Sequence, residues 1–358
     1  MYNIHLLPAA YGDSVLIEYG ESKSRYILID GGPYYNFEEL IEGMKRVAPS
    51  IKELELLVIT HIDIDHIDGI VTLLKRDKLP FKIREVWFNG YDEINDFSDF
   101  LGVLQGEFIS KLIEIKKLPH NKSFQGNAVV VEDYNELPVI KLRDGMTLSL
   151  LSPGKTGLQK LHAEWKKQIK KYGKGADFAK KLEEDSRYDS ASGLLGDLPI
   201  EKLQELKVSG DKSAPNGSSI AFIGNFQGKS CLFAADATSD YLLEAITPFL
   251  IKNNLDHLKL DAWKLSHHGS KKSNLDKLMK KIDCKNILIS SNGSKFQHPD
   301  QECIAKLLKN NGPDLRFYFN YKTEFNKRWS DTTLHKDYNY KTFYPKNESA
   351  PGITLRLI

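Results

Sequence analysis

Short bursts of apolar residues, alternating or continuous, run along this chain with polar clusters between them. Near the N-terminus "YNIHLLPA", "DSVLIEYG" and "RYILIDGG" read as three strands, the last ended by an Asp-Gly-Gly turn that glycine accommodates easily. "NFEELIEGMKRVA" has apolar residues at helical spacing, "LELLVIT" reads as a buried strand, and "IVTLLKRD" as a second helix that Asp68 caps ahead of Gly69. "IREVWFNG" is expected as a strand, "FSDFLGVLQGEFISKLIEI" as a helix, and residues 129–152 as β-hairpin material ending at Pro153-Gly154. Residues 155–213 break the pattern. They are rich in Lys, Glu and Asp, with helical spacing in "LQKLHAEWKKQIKKYG" and "DFAKKLEEDSRY", and read as a charged helical insertion. The β pattern then resumes through "SSIAFIGNF", "KSCLFAADA", "LDAWKLSHHGS" and "KNILISSNG", with helices "SDYLLEAITPFLI", "NLDKLMKKI" and "DQECIAKLLKN" among them, and closes on "GITLRLI". Two β-rich halves with flanking helices predict an α/β fold: a four-layer αββα sandwich, two sheets face to face with helices outside. The expected organisation is one domain over residues 1–358, with 155–213 inserted and about 313–358 as a C-terminal extension.

Composition narrows this picture only modestly. The 358 residues are 41% hydrophobic and 27% charged, ordinary for a soluble globular protein, and the formal net charge of +2 provides no global basic field. Cys231, Cys284 and Cys303 are scattered, odd in number and without a CxxC, which excludes a disulfide frame and a thiolate metal site. They read as buried thiols. No stretch reaches the roughly 18–20 apolar residues of a membrane span, and the N-terminus has no basic region of a signal peptide. A cytoplasmic protein with no membrane partner is the expectation.

The chemistry enters at "THIDIDHIDG", residues 60–69. His61, Asp63, Asp65, His66 and Asp68 follow directly on the apolar run at residues 56–59. Imidazoles and carboxylates converging on one point are costly unless a cation neutralises them, so this stretch reads as a metal site. Other strands also deliver polar groups at their ends. Asp30 follows "YILI", Asp236 follows "CLFAA", His267 and His268 follow "AWKLS", and Asn292 follows "ILISS" with His298 close behind. Loops of layered folds carry ligand-binding groups at such positions.

The ordered motifs "LPAAYGDSVLIEYG", "YILIDGG", "THIDIDHIDG", "PNGSSIAF", "LFAADA", "LSHHGSKKS" and "SSNGSKFQHP" resemble the metallo-β-lactamase superfamily. Within it the chain is similar to the hydrolase domain of ComEC/Rec2-type competence proteins and their free-standing relatives. The resemblance implies a sandwich with a metal-dependent hydrolase site at its edge, holding one or two divalent ions, manganese or zinc. It implies His61 and Asp63 at a first ion, Asp65 and His66 at a second, and Asp236 bridging. One of His267 and His268 completes the second site; His267 is the favoured ligand, with His268 lining the cleft. Asp30 would hold a ligand imidazole by its other N–H. The superfamily's usual HxHxDH has Asp63 in place of its second His, and the further first-site His is missing between His162 and Asp236. Such a site is rich in oxygen and better suited to Mn²⁺ or Mg²⁺ than a His-rich zinc site.

The leading functional expectation is a phosphodiesterase or nuclease that uses metal-activated water, with nucleic acid or another phosphodiester as substrate. Asp65 and His298 are the candidate catalytic groups, His298 steadying the leaving oxygen. Asn216, Ser218, His268, Lys271 and Asn292 are candidate substrate contacts. Hydrolysis of a small lactam, lactone or thioester is the alternative, and a non-catalytic role in a larger assembly is a third reading.

Overall fold

The computed structural model describes residues 1–90, 105–172 and 198–358. Its first sheet is built from β1 (Tyr2–Leu6), β2 (Val15–Tyr19), β3 (Arg25–Ile29), β5 (Leu56–Val58), β7 (Val86–Trp87) and β18 (Ile353–Arg356), in the order β18-β1-β2-β3-β5-β7. The second sheet contains β8 (Val139–Lys141), β9 (Thr147–Ser152), β10 (Ala221–Phe226), β11 (Lys229–Phe233), β13 (Ala262–Lys264), β15 (Asn286–Ile289), β16 (Leu315–Phe319) and β17 (Tyr340–Phe343). Its order is β17-β16-β15-β13-β11-β10-β9-β8. Two small pairs stand apart, β4 (Glu53–Leu54) with β6 (Lys82–Ile83) and β12 (Leu258–Leu260) with β14 (Ile282–Cys284).

Period-two alternation assigns each strand's two faces to different layers. In β2, Val15, Ile17 and Tyr19 point into the core between the sheets, while Leu16 packs under the helices outside. In β11, Cys231 and Phe233 face the other sheet, while Leu232 faces helices on the far side. Against the first sheet lie α1 (Phe37–Val47), α2 (Ile64–Lys75) and α3 (Gln105–Ile115). Helix α4 (Lys155–Tyr172) opens the charged insertion, and α5 (Ile200–Glu205) and α6 (Ala214–Gly217) follow it. Against the second sheet lie α7 (Ser239–Lys252), α8 (Asp276–Met279) and α9 (Gln301–Asn310), with α10 (Thr332–Asp337) near the end of the chain. This is the αββα sandwich, the metallo-β-lactamase fold.

Some boundaries differ from expectation. The second helix starts at Ile64, not Gly69, because "IDHI", residues 64–67, forms its first turn and Asp63 takes the N-cap position. Asp68 therefore sits inside the helix and does not cap it. Strand pairing in the expected hairpin is confined to β8 and β9. Of the helix expected over residues 97–115, the first eight residues lie outside the described ones, as does "DFAKKLEEDSRY". Residues 313–358 are woven into both sheets, supplying β16 and β17 to one and β18 to the other. All three cysteines are free and buried. Among the described residues no helix is long and apolar enough to cross a membrane.

Candidate metal centre

The cluster forms where strands of both sheets end along one edge. Asp30 follows β3, residues 60–66 follow β5, Asp236 follows β11, His267 and His268 follow β13, and His298 lies beyond β15. Asp30, Ala235, His267 and His268 all adopt positive φ, between +46° and +56°. For non-glycine residues this conformation costs on the order of 1–3 kcal/mol each, and it persists only where the surroundings enforce it. The loops are also pressed together: a Cβ on Gly12 would collide with the Asp65 carbonyl, and one on Gly69 with the Gly31 carbonyl.

Asp30 is fully buried and organises the first half of the site. Its Oδ1 accepts from the Thr60 backbone N–H at 2.8 Å and its Oδ2 from the Thr60 hydroxyl at 2.7 Å. The same Oδ2 lies 2.8 Å from His66 Nδ1, leaving Nε2 to face inward. His66 Nε2 is 3.3 Å from Asp236 Oδ1 and 3.9 Å from Asp65 Oδ2. His61 is steadied at Nδ1 by the Thr60 hydroxyl (2.9 Å), and its Nε2 stands 3.5 Å from Asp63 Oδ2 and 4.0 Å from Asp236 Oδ2. Asp63 makes no side-chain bond to the helix it caps and is 39% exposed at its side chain, so its carboxylate is available to the cleft.

The second half comes from the adjacent histidines. His268 Nδ1 meets the Ser290 carbonyl at 3.0 Å, which turns Nε2 to Asp65 Oδ2 at 3.2 Å and Asp236 Oδ2 at 3.9 Å. His267 Nε2 is 3.6 Å from Asp236 Oδ2, but its Nδ1 faces Asn216 Nδ2 (3.2 Å), Ser273 Oγ (3.3 Å) and Asp211 Oδ2 (3.5 Å). His268, not His267, shares a compact donor set with Asp65. The reason is the left-handed backbone at both residues, which sends the two rings to different sides of Asp236.

Beneath His268 lies a buried ion pair that joins the sheets, between Asp13 after β1 and Lys264 at the end of β13. Asp13 Oδ1 also stands 3.4 Å from His268 Nδ1. Burial opposes the Asp13 charge, yet Lys264 and His268 outweigh it and hold the carboxyl well below its ordinary range. Burial likewise opposes the charge on Asp236, but His66, His267 and His268 hold it low; the reciprocal attraction to Asp236, Asp65 and Asp30 holds His66 high against its own burial.

The other candidates divide. His298 is buried beside the cluster, its ring 5.4 Å from His267 and 6.3 Å from His268. Burial, then the two neighbouring imidazoles, push its pKa well below the ordinary value. Asn216 Nδ2 donates to Asp211 at 2.6 Å, so it supports His267 from behind. Ser218 donates to the Pro215 carbonyl of its own turn at 2.6 Å. Lys271 pairs with Glu302 at 2.8 Å, and Asn292 Oδ1 accepts from the Ser294 N–H at 3.0 Å. Ser218, Lys271 and Asn292, expected as substrate contacts, thus each bond within their own loop or to a neighbouring acid. Asp13, Lys264, Thr60 and Asp211 are the residues sequence reasoning missed. A Lys amid the apolar "AWKL" was the one legible hint among them.

The fit to a metal rests on orphaned atoms. Among the described residues, His61 Nε2, His66 Nε2 and Asp236 Oδ1 are buried without a hydrogen-bond partner, although buried polar atoms are otherwise nearly always satisfied. Three overlapping sets, His61–His66–Asp236, Asp65–His66–His268 and Asp13–Asp236–His268, each bring their ligand atoms within 4.8 Å of one another. The Lys264 pairing makes the last set the poorest of the three. Imidazole nitrogens and carboxylate oxygens suit a divalent first-row ion.

Residues 7–93 match the family model for the metallo-beta-lactamase superfamily. No curated protein matches the sequence. Among solved structures the chain is similar to a putative metal-dependent hydrolase from Parabacteroides distasonis, at 13% identity and TM-score 0.37, covering 88% of this chain and 93% of that one. It is also similar to Zn²⁺-bound PqqB from Methylobacterium extorquens, at 11% identity and TM-score 0.43 over 100% of both chains. A long-form RNase Z from yeast aligns at 12% identity and TM-score 0.34, over 89% of this chain and 36% of that one.

Proposed function

We propose that this chain is a metal-dependent phosphodiesterase acting on nucleic acid. The observation that carries the reading is the carboxylate-rich convergence of Asp63, Asp65 and Asp236 with three imidazoles, of which His61 and His66 have inward nitrogens without a hydrogen-bond partner and His268 turns its own to Asp65. The motif resemblance to ComEC/Rec2-type hydrolase domains supports nucleic acid as the substrate class. His66, Asp65 and His268 would hold one ion, and His61 with Asp63 a second, Asp236 standing between them. Divalent ions held there supply Lewis-acid activation of water and charge neutralisation at the phosphodiester. The chain's own residues do the rest. Asp30 and the Ser290 carbonyl fix the tautomers of His66 and His268. Asp65 would accept a proton from the attacking water, and the neutral His298 ring would offer an N–H to the leaving oxygen.

The test is hydrolysis by metal-stripped protein after adding back Mn²⁺ or Zn²⁺, using bis(4-nitrophenyl) phosphate, labelled DNA and RNA, and a chromogenic lactam. Phosphodiester cleavage that is greater with Mn²⁺ and absent in folded Asp65→Asn and His66→Ala variants is expected. Turnover of the lactam alone, or variants as active as the parent, overturns the reading.

A further inference from the structure

The rim of the cleft carries aromatic rings that the metal chemistry leaves unused. Tyr34 and Tyr35 follow the Gly31-Gly32-Pro33 turn in a short 3-10 segment (Tyr34–Asn36) and remain 65% and 57% exposed. Their centroids are 5.9 Å apart at an interplanar angle of 86°, an edge-on contact in which the two rings are not stacked on each other. From there the rings continue inward: Tyr35 to Tyr11 at 6.2 Å, Tyr11 to Phe296 at 5.6 Å, and Phe296 to His298 at 6.2 Å. His298 in turn lies against His267 and His268. The exposed Lys295 holds its ammonium 5.1 Å over the Tyr11 ring and 5.2 Å over Phe296. Burial, then the nearby Asp65 carboxylate, raise the Tyr35 phenol above its ordinary range, and the Ser294 side chain lies beside its hydroxyl. Surface and metal centre are thus joined by one continuous aromatic series with a cation upon it.

Exposing two adjacent phenol rings forgoes hydrophobic stabilisation that burial would have provided. A ligand that recovers it must offer flat π-faces, and one that also meets Lys295 must carry negative charge. Unpaired nucleobases on a phosphate backbone have both properties, and stacking on an aromatic ring is indifferent to base identity. A duplex stacks its base faces internally and offers them only at its ends.

We infer that Tyr34 and Tyr35 form a stacking platform for unpaired bases next to the scissile phosphodiester, with Lys295 on the strand's phosphates, so that the centre takes single-stranded polynucleotide. This inference rests on the phosphodiesterase reading above and adds to it the form of the substrate. The test measures fluorescence anisotropy in metal-chelated buffer, where no strand is cut, with a short labelled oligothymidylate, an abasic strand of equal length and a blunt hairpin duplex. Wild-type protein binds the oligothymidylate about tenfold or more tighter than either control, and the folded Tyr34→Ala/Tyr35→Ala variant loses about tenfold or more of that affinity. The Tyr34→Phe/Tyr35→Phe variant keeps it, because the ring and not the hydroxyl stacks. Equal binding of strand and duplex by wild-type protein, undiminished binding by the alanine variant, or a phenylalanine variant as weak as the alanine one overturns the platform. Wild-type turnover of bis(4-nitrophenyl) phosphate is measured in parallel. Its absence alongside preferential strand binding strikes at the metal centre, whereas turnover without preferential binding strikes at the rim alone.

Discussion

Both carboxylate oxygens of Asp30 are occupied, by Thr60 on one side and by Thr60 and His66 Nδ1 on the other. An Asn at this position keeps the volume but turns one of these acceptors into a donor that faces Thr60 or His66. The expected outcome of Asp30→Asn is a metal affinity about 10–100-fold weaker, the usual effect of losing such a support, with the far-ultraviolet circular dichroism unchanged. Calorimetric titration of metal-stripped protein with Mn²⁺ reads it, and an unaltered affinity would remove Asp30 from the site. A second residue-scale effect lies well away from the cleft. His5 Nε2 stands 3.5 Å from Glu18, and Asn3 and Ser24 donate to the same carboxylate at 2.8 and 2.7 Å. The His5 contact chiefly, with Asn3 and Ser24 assisting against burial, lowers the Glu18 pKa from 4.5 to about 2. A folded pKa below the unfolded one means a stabilisation fully present above about pH 4.5 and lost as pH falls towards about 2. Urea midpoints of the parent and Glu18→Gln should therefore converge as pH falls through that window, with the parent's full lead kept above it. A constant gap down to pH 2 would show that the carboxylate's charge is not what Glu18 contributes.

At the scale of elements, the approach of α2 to the turn after β3 places Asp65 and His66. The Gly31 N–H donates to the His66 carbonyl and the Gly69 N–H to the Gly32 carbonyl, both at 2.8 Å, and no side chain fits between Gly69 and Gly31. Gly69→Ala is expected to push the helix away, destabilising the fold by about 1–3 kcal/mol as overpacking does. It should also loosen metal binding, since the first turn of α2 moves with it. A variant with parental urea stability would show that the turn can yield. This packing also explains what could be read in the sequence. Strands such as "RYILI" and "LELLV" are buried on both faces, so their apolar runs and the polar groups at their ends are legible without coordinates. The start of α2 was not, because a helical first turn made of His, Asp and Ile has the polarity of a loop. Nor could the roles of His267 and His268 be separated, since positive φ at both residues decides where each ring goes. Asp13 meets Lys264, and Asp211 meets His267, only after the sheets and the insertion have come together. Local periodicity carries no trace of such pairings, and Asp211 looks like any other acid in a charged segment.

For the whole molecule, the centre exists only where the edges of two sheets meet, so its geometry depends on how firmly those sheets are joined. Three devices tie them. The interleaved apolar faces form a common core, and the Asp13–Lys264 pair bridges the layers directly beneath His268. The chain end supplies the third. After β16 in the second sheet, Asn320 Nδ2 donates to the Leu7 carbonyl at 2.9 Å and the Tyr321 hydroxyl accepts from the Ala10 N–H at 2.9 Å. The chain then returns as β18 to the first sheet, pairing Ile353 to Arg356 with Leu6 to Asn3 and placing Leu355 in the inter-sheet core. Ending the chain at residue 350 leaves the β1 edge unpaired, and unprotected edges invite pairing with other copies. It also removes an apolar side chain from the core, which for Leu costs about 2–5 kcal/mol when cut back to Ala. The truncated protein is expected to unfold at lower urea and to elute in larger assemblies as its concentration rises. Replacing only Leu355 by Ala separates the two contributions, since it lowers stability while β18 still covers the edge and the protein keeps its parental elution volume. A truncated chain that keeps both the parental elution volume and the parental urea midpoint would mean that β1 needs no partner and that the sheets are joined without the C-terminal strand.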